Sequence, residues 1–282
     1  MARTEYAERL FRVTHTVEEQ NAAFLPNAHY EDTFAATFFF RGKGTLYIEG
    51  DVHEISEGVI AAAASDEIRL FEFAQDSCHE RLTVYVSNEG PALLQDHRLQ
   101  EVRDFLQNPS RIGHCLTAEQ YDSEMLLPII HQIRRVLLSD SPMKGPHLHM
   151  LVMELLIVLC QTRTTDKKPV VSRQDESIRE ICEYINNHLE EELSHQRLQE
   201  IFFVSRYYLG TKFQQQTGKS LTEYVIYKRL MRAAALIRGG MGIVEASTMV
   251  GFRTYSHFYR ECTRFFGKPP REYFQKPAEK KK

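Results

Sequence analysis

Between residues 30 and 90 the apolar positions fall in short runs rich in Phe, Tyr, Val and Ile. Turn-forming groups separate them: Arg41-Gly42-Lys43-Gly44, Glu49-Gly50-Asp51, Glu57-Gly58 and Asn88-Glu89-Gly90-Pro91. Residues 67–73 and 82–86 alternate apolar and polar side chains, the two-residue period of a half-buried strand. Residues 45–48 and 52–55 flank Glu49-Gly50-Asp51 as the arms of a tight hairpin. Many short strands at this spacing predict a barrel or a sandwich.

After residue 117 the period lengthens. Leu126, Ile129, Ile130, Ile133, Val136 and Leu137 recur at three- and four-residue steps and predict an amphipathic helix. A second helix over 147–160 is apolar almost all round, with Glu154 as its one charge, so it buries itself in its own domain or against a second subunit. Residues 162–169, TRTTDKKP, have no apolar anchor and include a proline, the composition of a linker. From Ser177 onward the pattern is helical: Ile178, Ile181, Cys182, Ile185 and Leu189 mark one helix, and Ser194, Ser205 and Thr254 stand where N-caps begin later ones.

A chain of 282 residues accommodates two domains. The charged start, MARTEYAERLFRV, is not a signal peptide, and no run reaches the roughly 18 apolar residues of a membrane span, so an intracellular, cytoplasmic protein is expected. The five cysteines, Cys78, Cys115, Cys160, Cys182 and Cys262, are scattered without metal-ligand spacing and read as reduced core residues. The net charge of −3 hides an asymmetry: from Arg197 to Lys282 there are seventeen Lys and Arg against six Asp and Glu, while residues 1–196 carry an acidic excess of fourteen. The basic end suits a polyanion, with nucleic acid the commonest, or else is a solvated face.

The C-terminal region partly repeats itself at an offset of 49 residues. Gly218-Lys219-Ser220-Leu221-Thr222-Glu223-Tyr224 falls on Gly267-Lys268-Pro269-Pro270-Arg271-Glu272-Tyr273 with Gly, Lys, Glu and Tyr shared. In the same register Leu209 meets Phe258, Phe213 meets Cys262, Ile201 meets Val250 and Ser205 meets Thr254. Each copy reads as a short helix, a turn and a longer helix: 197–203, a turn at Val204-Ser205 and 206–216; then 243–250, a turn at Gly251-Phe252 and 255–266. Gly218 and Gly267 suit C-caps, and Gly251 suits a positive φ. On a basic background this is the helix-turn-helix pattern, whose second helix enters the major groove. Between the copies, residues 221–238 form one unbroken helix, with Lys228, Arg229 and Arg232 assigned to its polar side; at 1.5 Å per residue it is roughly 27 Å long.

These residues resemble the AraC/XylS family of bacterial transcription activators. The shared pattern runs through Ser205, Leu209, Phe213, Gly218, Tyr224, Arg229, Leu230, Ala233, Ile243, Ala246, Val250-Gly251-Phe252, Ser256, Phe258, Arg260, Phe266-Gly267, Pro269-Pro270 and Tyr273. Residues 42–50 and 55–58 look like the cupin-type effector barrel of such regulators. The resemblance implies an α+β multidomain chain: a cupin-like effector domain over 1–116, a helical dimerisation region over 117–162, a linker over 163–174, a double helix-turn-helix DNA-binding domain over 175–276 and a basic tail over 277–282. Implied partners are double-stranded DNA, RNA polymerase, a second copy of the chain and a small-molecule effector such as a sugar.

Carried over position by position, the resemblance places Arg206, Tyr207, Gly210 and Thr211 on the first recognition helix toward DNA, and Tyr255, Ser256, His257 and Arg260 on the second. Arg260 is the strongest base reader, because a guanidinium donates two bonds to guanine. Gly210 offers no side chain where the family has a polar one, and Cys262-Thr263 replaces an aromatic residue and a lysine. Lys219, Arg253, Arg264 and Lys268 suit phosphate contacts. Tyr208 is assigned to the interior.

Phe38, Phe40, Tyr47, Phe71 and Phe73 are the aromatic candidates for an effector pocket, with ordinary core as the alternative. No metal or other cofactor is expected. His29, Glu31 and His53 are the candidate ligands, but the downstream region where a catalytic cupin supplies another histidine reads Ala64-Ser65-Asp66-Glu67. The chain is therefore read as a regulator and not an enzyme, with a ligand-independent DNA-binding regulator and a cupin enzyme with an accessory domain as alternatives.

Overall fold

The structure is a computed structural model of the chain that describes residues 2–18, 33–74, 78–87, 94, 96–109, 114–162 and 176–274. The turn at 88–91, the candidate ligands His29 and Glu31, the linker at 163–174 and the tail at 277–282 lie outside the described residues. The chain divides into two compact units, Met1–Arg173 and Gln174–Lys282. No helix among the described residues is long and apolar enough to cross a membrane.

The described residues of the first unit form the strands β1 (Ala2–Ala7), β2 (Phe11–Glu18), β3 (Thr33–Arg41), β4 (Gly44–Ile48), β5 (Asp51–Ile55), β6 (Ile60–Ala63), β7 (Arg69–Phe73), β8 (His79–Ser87) and β9 (Cys115–Leu116). They pair antiparallel in a six-stranded sheet, β1-β2-β8-β3-β6-β9, and a three-stranded sheet, β5-β4-β7. The strands therefore make two layers, the sandwich of the two expected arrangements, and no closed barrel forms among the described residues. The chain passes from the larger sheet to the smaller one at the corner between β3 and β4. Gly42, at φ 111°, turns the chain out of the larger sheet, and Gly44 brings β4 so close to β7 that a Cβ there would lie 2.3 Å from the Glu72 carbonyl oxygen. The β4–β5 hairpin has a two-residue turn, Glu49 at φ 51° and Gly50 at φ 88°; two consecutive positive φ angles match the right-handed twist of its arms. Asp51, read as part of the turn, is the first residue of β5 and faces Ile48.

Among the described residues the α-helices of this unit are α1 (Gln100–Gln107), α2 (Ser123–Leu137) and α3 (Lys144–Gln161). The pleat of β3 separates two cores. Phe34, Ala36, Phe38 and Phe40 join the apolar faces of the helices, including Phe105, Ile130, Ile133, Leu151 and Leu155. Phe39, between them in sequence, joins Leu46, Ile48, Ile55 and Phe71 in the space between the sheets. Helix α3 buries Leu148, Leu151, Val152, Leu155, Leu156 and Leu159 within its own unit, yet Met150 is left 71% exposed.

This pleat scatters the five aromatics assigned to one effector pocket. Phe38 and Phe40 pack edge-to-face on each other at 4.8 Å on the helix side. Phe71 and Phe73 instead meet Phe39, at 5.9 and 6.3 Å, on the other side. Tyr47 alternates with buried Leu46 and Ile48 and bonds Glu72 at an exposed position. A cleft of about 580 Å³ elsewhere in this unit is lined by Glu8, Arg9, Leu94, Asp96, His149 and Met153 among others, and by none of the five.

The second unit is helical: α4 (Glu176–Asn187), α5 (His195–Phe202), α6 (Phe213–Thr217), α7 (Leu221–Arg238), α8 (Ile243–Met249), α9 (Tyr255–Phe266) and α10 (Pro270–Phe274). A π turn, Tyr208–Lys212, leads into α6 and continues the helix that begins at Arg206. Helix α7 starts with a capping box: the Ser220 side chain accepts from the Glu223 backbone N–H while the Glu223 carboxylate accepts from the Ser220 backbone. It buries Tyr224, Val225, Tyr227, Leu230, Met231, Ala233 and Ala234. Its polar side is narrower than expected, since Lys228 is buried and Arg229 is half-buried; Arg232 is exposed.

Candidate nucleic-acid interface

The 49-residue repeat reappears in the hydrogen bonds. Ser205 Oγ accepts from the backbone N–H of Tyr208 at 3.1 Å, and Thr254 Oγ1 accepts from that of His257 at 3.3 Å, each starting the second helix of its copy. Both of these helices end on a left-handed glycine, Gly218 and Gly267, each at φ 70°, whose N–H bonds to Gln214 O and Thr263 O. Leu209 and Phe258 are fully buried at equivalent places, as are Phe213 and Cys262. The turns differ. The second copy leaves its first helix at Gly251, φ 92°, whereas the first copy uses Phe203 at φ 52°, one position later in register and 94% exposed.

On the first recognition helix Arg206, Tyr207 and Gly210 are exposed and Thr211 is half-buried. Tyr207 is 72% exposed, while Tyr208 is half-buried. Gly210 sits in the π turn with open space where a Cβ would stand. On α9, Ser256 and Arg260 are exposed, and Tyr255 and His257 are half-buried. The Tyr255 ring rests against Phe258 and Tyr259, and His257 Nε2 lies 3.7 Å from Glu261 Oε1. Arg206 and Arg260 form no ion pair or hydrogen bond with the described residues, so both guanidinium groups are free to meet an acceptor. Gln214 and Tyr259, one turn beyond Gly210 and Tyr255, are exposed as well, and the sequence reading missed them. Continuing the helical period by one more turn would have included both.

The phosphate candidates are less uniform. Lys268 is exposed. Arg253 is exposed and stands 3.8 Å from Glu192. Arg264 donates to Glu261 from Nε at 2.8 Å and lies 4.6 Å over the Phe265 ring. Lys219 is half-buried near Glu223 and Arg264; burial lowers its pKa against the raising effect of Glu223. Arg229 is turned inward: Nε donates to Leu189 O at 2.9 Å and a terminal nitrogen donates to Glu191 O at 2.7 Å, tying α7 to the segment between α4 and α5.

Residues 198–276 match the helix-turn-helix domain family. The HTH-type transcriptional regulator YobQ of Bacillus subtilis is 36% identical over 91 residues, 32% of this chain and 38% of that protein. GbdR of Pseudomonas aeruginosa, also an HTH-type transcriptional regulator, is 30% identical over 106 residues, 37% of this chain and 29% of its own length. The matched stretches thus span well under half of these two relatives. The HTH-type transcriptional activator RhaS of Escherichia coli is 20% identical over 262 residues, 88% of each chain. With two helix-turn-helix copies on one connecting helix and these relatives, the second unit is a helix-turn-helix DNA-binding domain, and the chain is similar to the AraC/XylS family of transcription regulators.

Proposed function

We propose that the chain is a sequence-specific regulator whose two recognition helices occupy consecutive major grooves, with α7 as the spacer between them. The observation that carries this reading is the repeated cap geometry. Two copies of one groove-reading unit, 49 residues apart, each start at a hydroxyl cap and end at a left-handed glycine, and each displays an unpaired arginine. Arg206, Tyr207, Gly210 and Thr211 face one groove; Tyr255, Ser256, His257 and Arg260 face the next. Lys219, Arg253, Arg264 and Lys268 flank them toward phosphates. A spacer of roughly 27 Å is compatible with grooves one DNA turn, about 34 Å, apart.

In the same reading, residues 1–116 bind a small effector, 117–162 pair two copies, 163–174 link the units, 175–276 bind DNA, and 277–282 add basic charge near phosphate. The exposed apolar side chains Met125, Leu138, Met143 and Met150 on or beside α2 and α3 support the pairing role. Pairing two modest readers raises their effective concentration on an operator, so an effector that alters the pair alters occupancy and activates transcription by RNA polymerase. Gel-shift titration on a selected operator tests the DNA reading: Arg260→Ala weakens binding, and equal affinity of variant and parent refutes its role.

A further inference from the structure

We propose that Asp51, His53 and His114 bind one divalent transition-metal ion of the zinc, iron or nickel class. Asp51 and His53 are two residues apart on β5 and so share its inner face, while His114 directly precedes β9, more than fifty residues along the chain. The fold brings one ligand atom from each within 4.8 Å of the other two. Ligand atoms bound at about 2.1 Å around a tetrahedral ion stand roughly 3.4 Å apart, so side-chain movements of about 1 Å complete the site.

Two further observations point to a ligand there. His53 is 4% exposed, and its Nε2 is enclosed without a hydrogen-bond partner among the described residues, an arrangement that leaves a buried polar atom unsatisfied unless something coordinates it. His114 is held by a carboxylate: its Nε2 meets Glu67 Oε1 at 2.8 Å, and the other oxygen of Glu67 accepts the Ala64 N–H at 2.7 Å. A carboxylate on one ring nitrogen fixes the tautomer and leaves the lone pair of Nδ1 for an ion, the usual arrangement around metal-bound histidines. Two imidazoles and a carboxylate favour zinc-like ions over magnesium or calcium, which prefer oxygen alone. The set leaves a fourth position for water.

Because β5 belongs to the three-stranded sheet and β9 to the six-stranded sheet, the ion would fasten the two layers together. The proposal reverses the expectation of no metal. That expectation grouped His53 with His29 and Glu31 and looked for the further histidine at residues 64–67; the fold supplies it at 114 instead, beside the Glu67 that occupies the place first searched.

The test uses the full chain without a histidine tag, stripped with a chelator, and Zn2+ as the calorimetric probe, with Co2+ for its visible absorption. The expected result is one Zn2+ per chain, a rise in Tm, Co2+ bands of nitrogen and oxygen ligation, and at least a tenfold loss of affinity in both His53→Gln and Asp51→Asn. Asp51 is only half-buried, so Asp51→Asn keeps the test open if His53→Gln fails to fold. No stoichiometric Zn2+ binding to the parent, or affinity within tenfold of the parent in Asp51→Asn, overturns the proposal.

Discussion

The Arg229 guanidinium lies against Gly251. A Cβ at Gly251 would stand 3.0 Å from a terminal nitrogen of Arg229 and 2.5 Å from Leu189 O, the carbonyl to which Arg229 Nε donates at 2.9 Å. The turn of the second helix-turn-helix copy is thereby packed on the connecting helix and on the segment after α4. Gly251 also has φ 92°, a conformation that side chains rarely adopt. Gly251→Ala therefore combines backbone strain with a clash against a carbonyl and should cost more than about 2 kcal/mol. Gly240→Ala has a similar φ of 99° but open space around its Cβ, and should cost about 1 kcal/mol. Urea unfolding of the full chain compares the two; equal destabilisation would show that the contact with Leu189 and Arg229 does not matter.

Arg260 and Lys268 are both exposed, yet they should fail differently when truncated. Arg260→Ala is expected to lose about 1 to 3 kcal/mol on the preferred operator and to relax the preference at one base pair. Lys268→Ala should weaken binding to all sequences alike and lower the slope of log affinity against log salt by about one. Binding measured on an operator and on base-substituted operators at several salt concentrations separates the two. Uniform weakening by Arg260→Ala would remove it from base reading.

The Ser220–Glu223 capping box carries a pH signature. The Glu223 carboxyl is held below the usual carboxylate range mainly by its bond from the Ser220 side chain, with Lys219 and Arg264 adding to the effect. A carboxyl depressed in the folded state contributes stability that is present above its ordinary pKa of about 4.3 and is lost as pH falls through the folded value. Ser220→Ala should thus cost about 1 kcal/mol at neutral pH, and the gap from the parent should narrow as pH drops below about 4. Parallel chemical unfolding of the two proteins at pH 7 and pH 3.5 checks this, and a gap that widens in acid contradicts it.

How much of this was legible beforehand follows from which signals are local. The second unit could be read closely because its information repeats: Leu209 with Phe258, Ser205 with Thr254 and Gly218 with Gly267 each reinforce one another at a fixed offset. Arg229 misled, since a helical wheel places a cation on the polar side and cannot show that two backbone carbonyls lie within its reach. In the first unit the strand runs were visible, but the side to which each faced was not. Phe38 and Phe40 alternate with Phe39, and only the packing decides that the pair meets helices while Phe39 meets Phe71. His114 lay beyond reach altogether, because its proximity to Asp51 and His53 is created by pairing between distant strands.

Hydroxyl-radical footprinting of the full chain on a selected operator tests the central claim most directly. Two readers on one connecting helix should protect, per subunit, two short segments on the same face of the duplex, about 10 base pairs apart. Arg206→Ala should fade one segment and Arg260→Ala the other. A single protected segment per subunit, or two that fade together in either variant, would contradict the account.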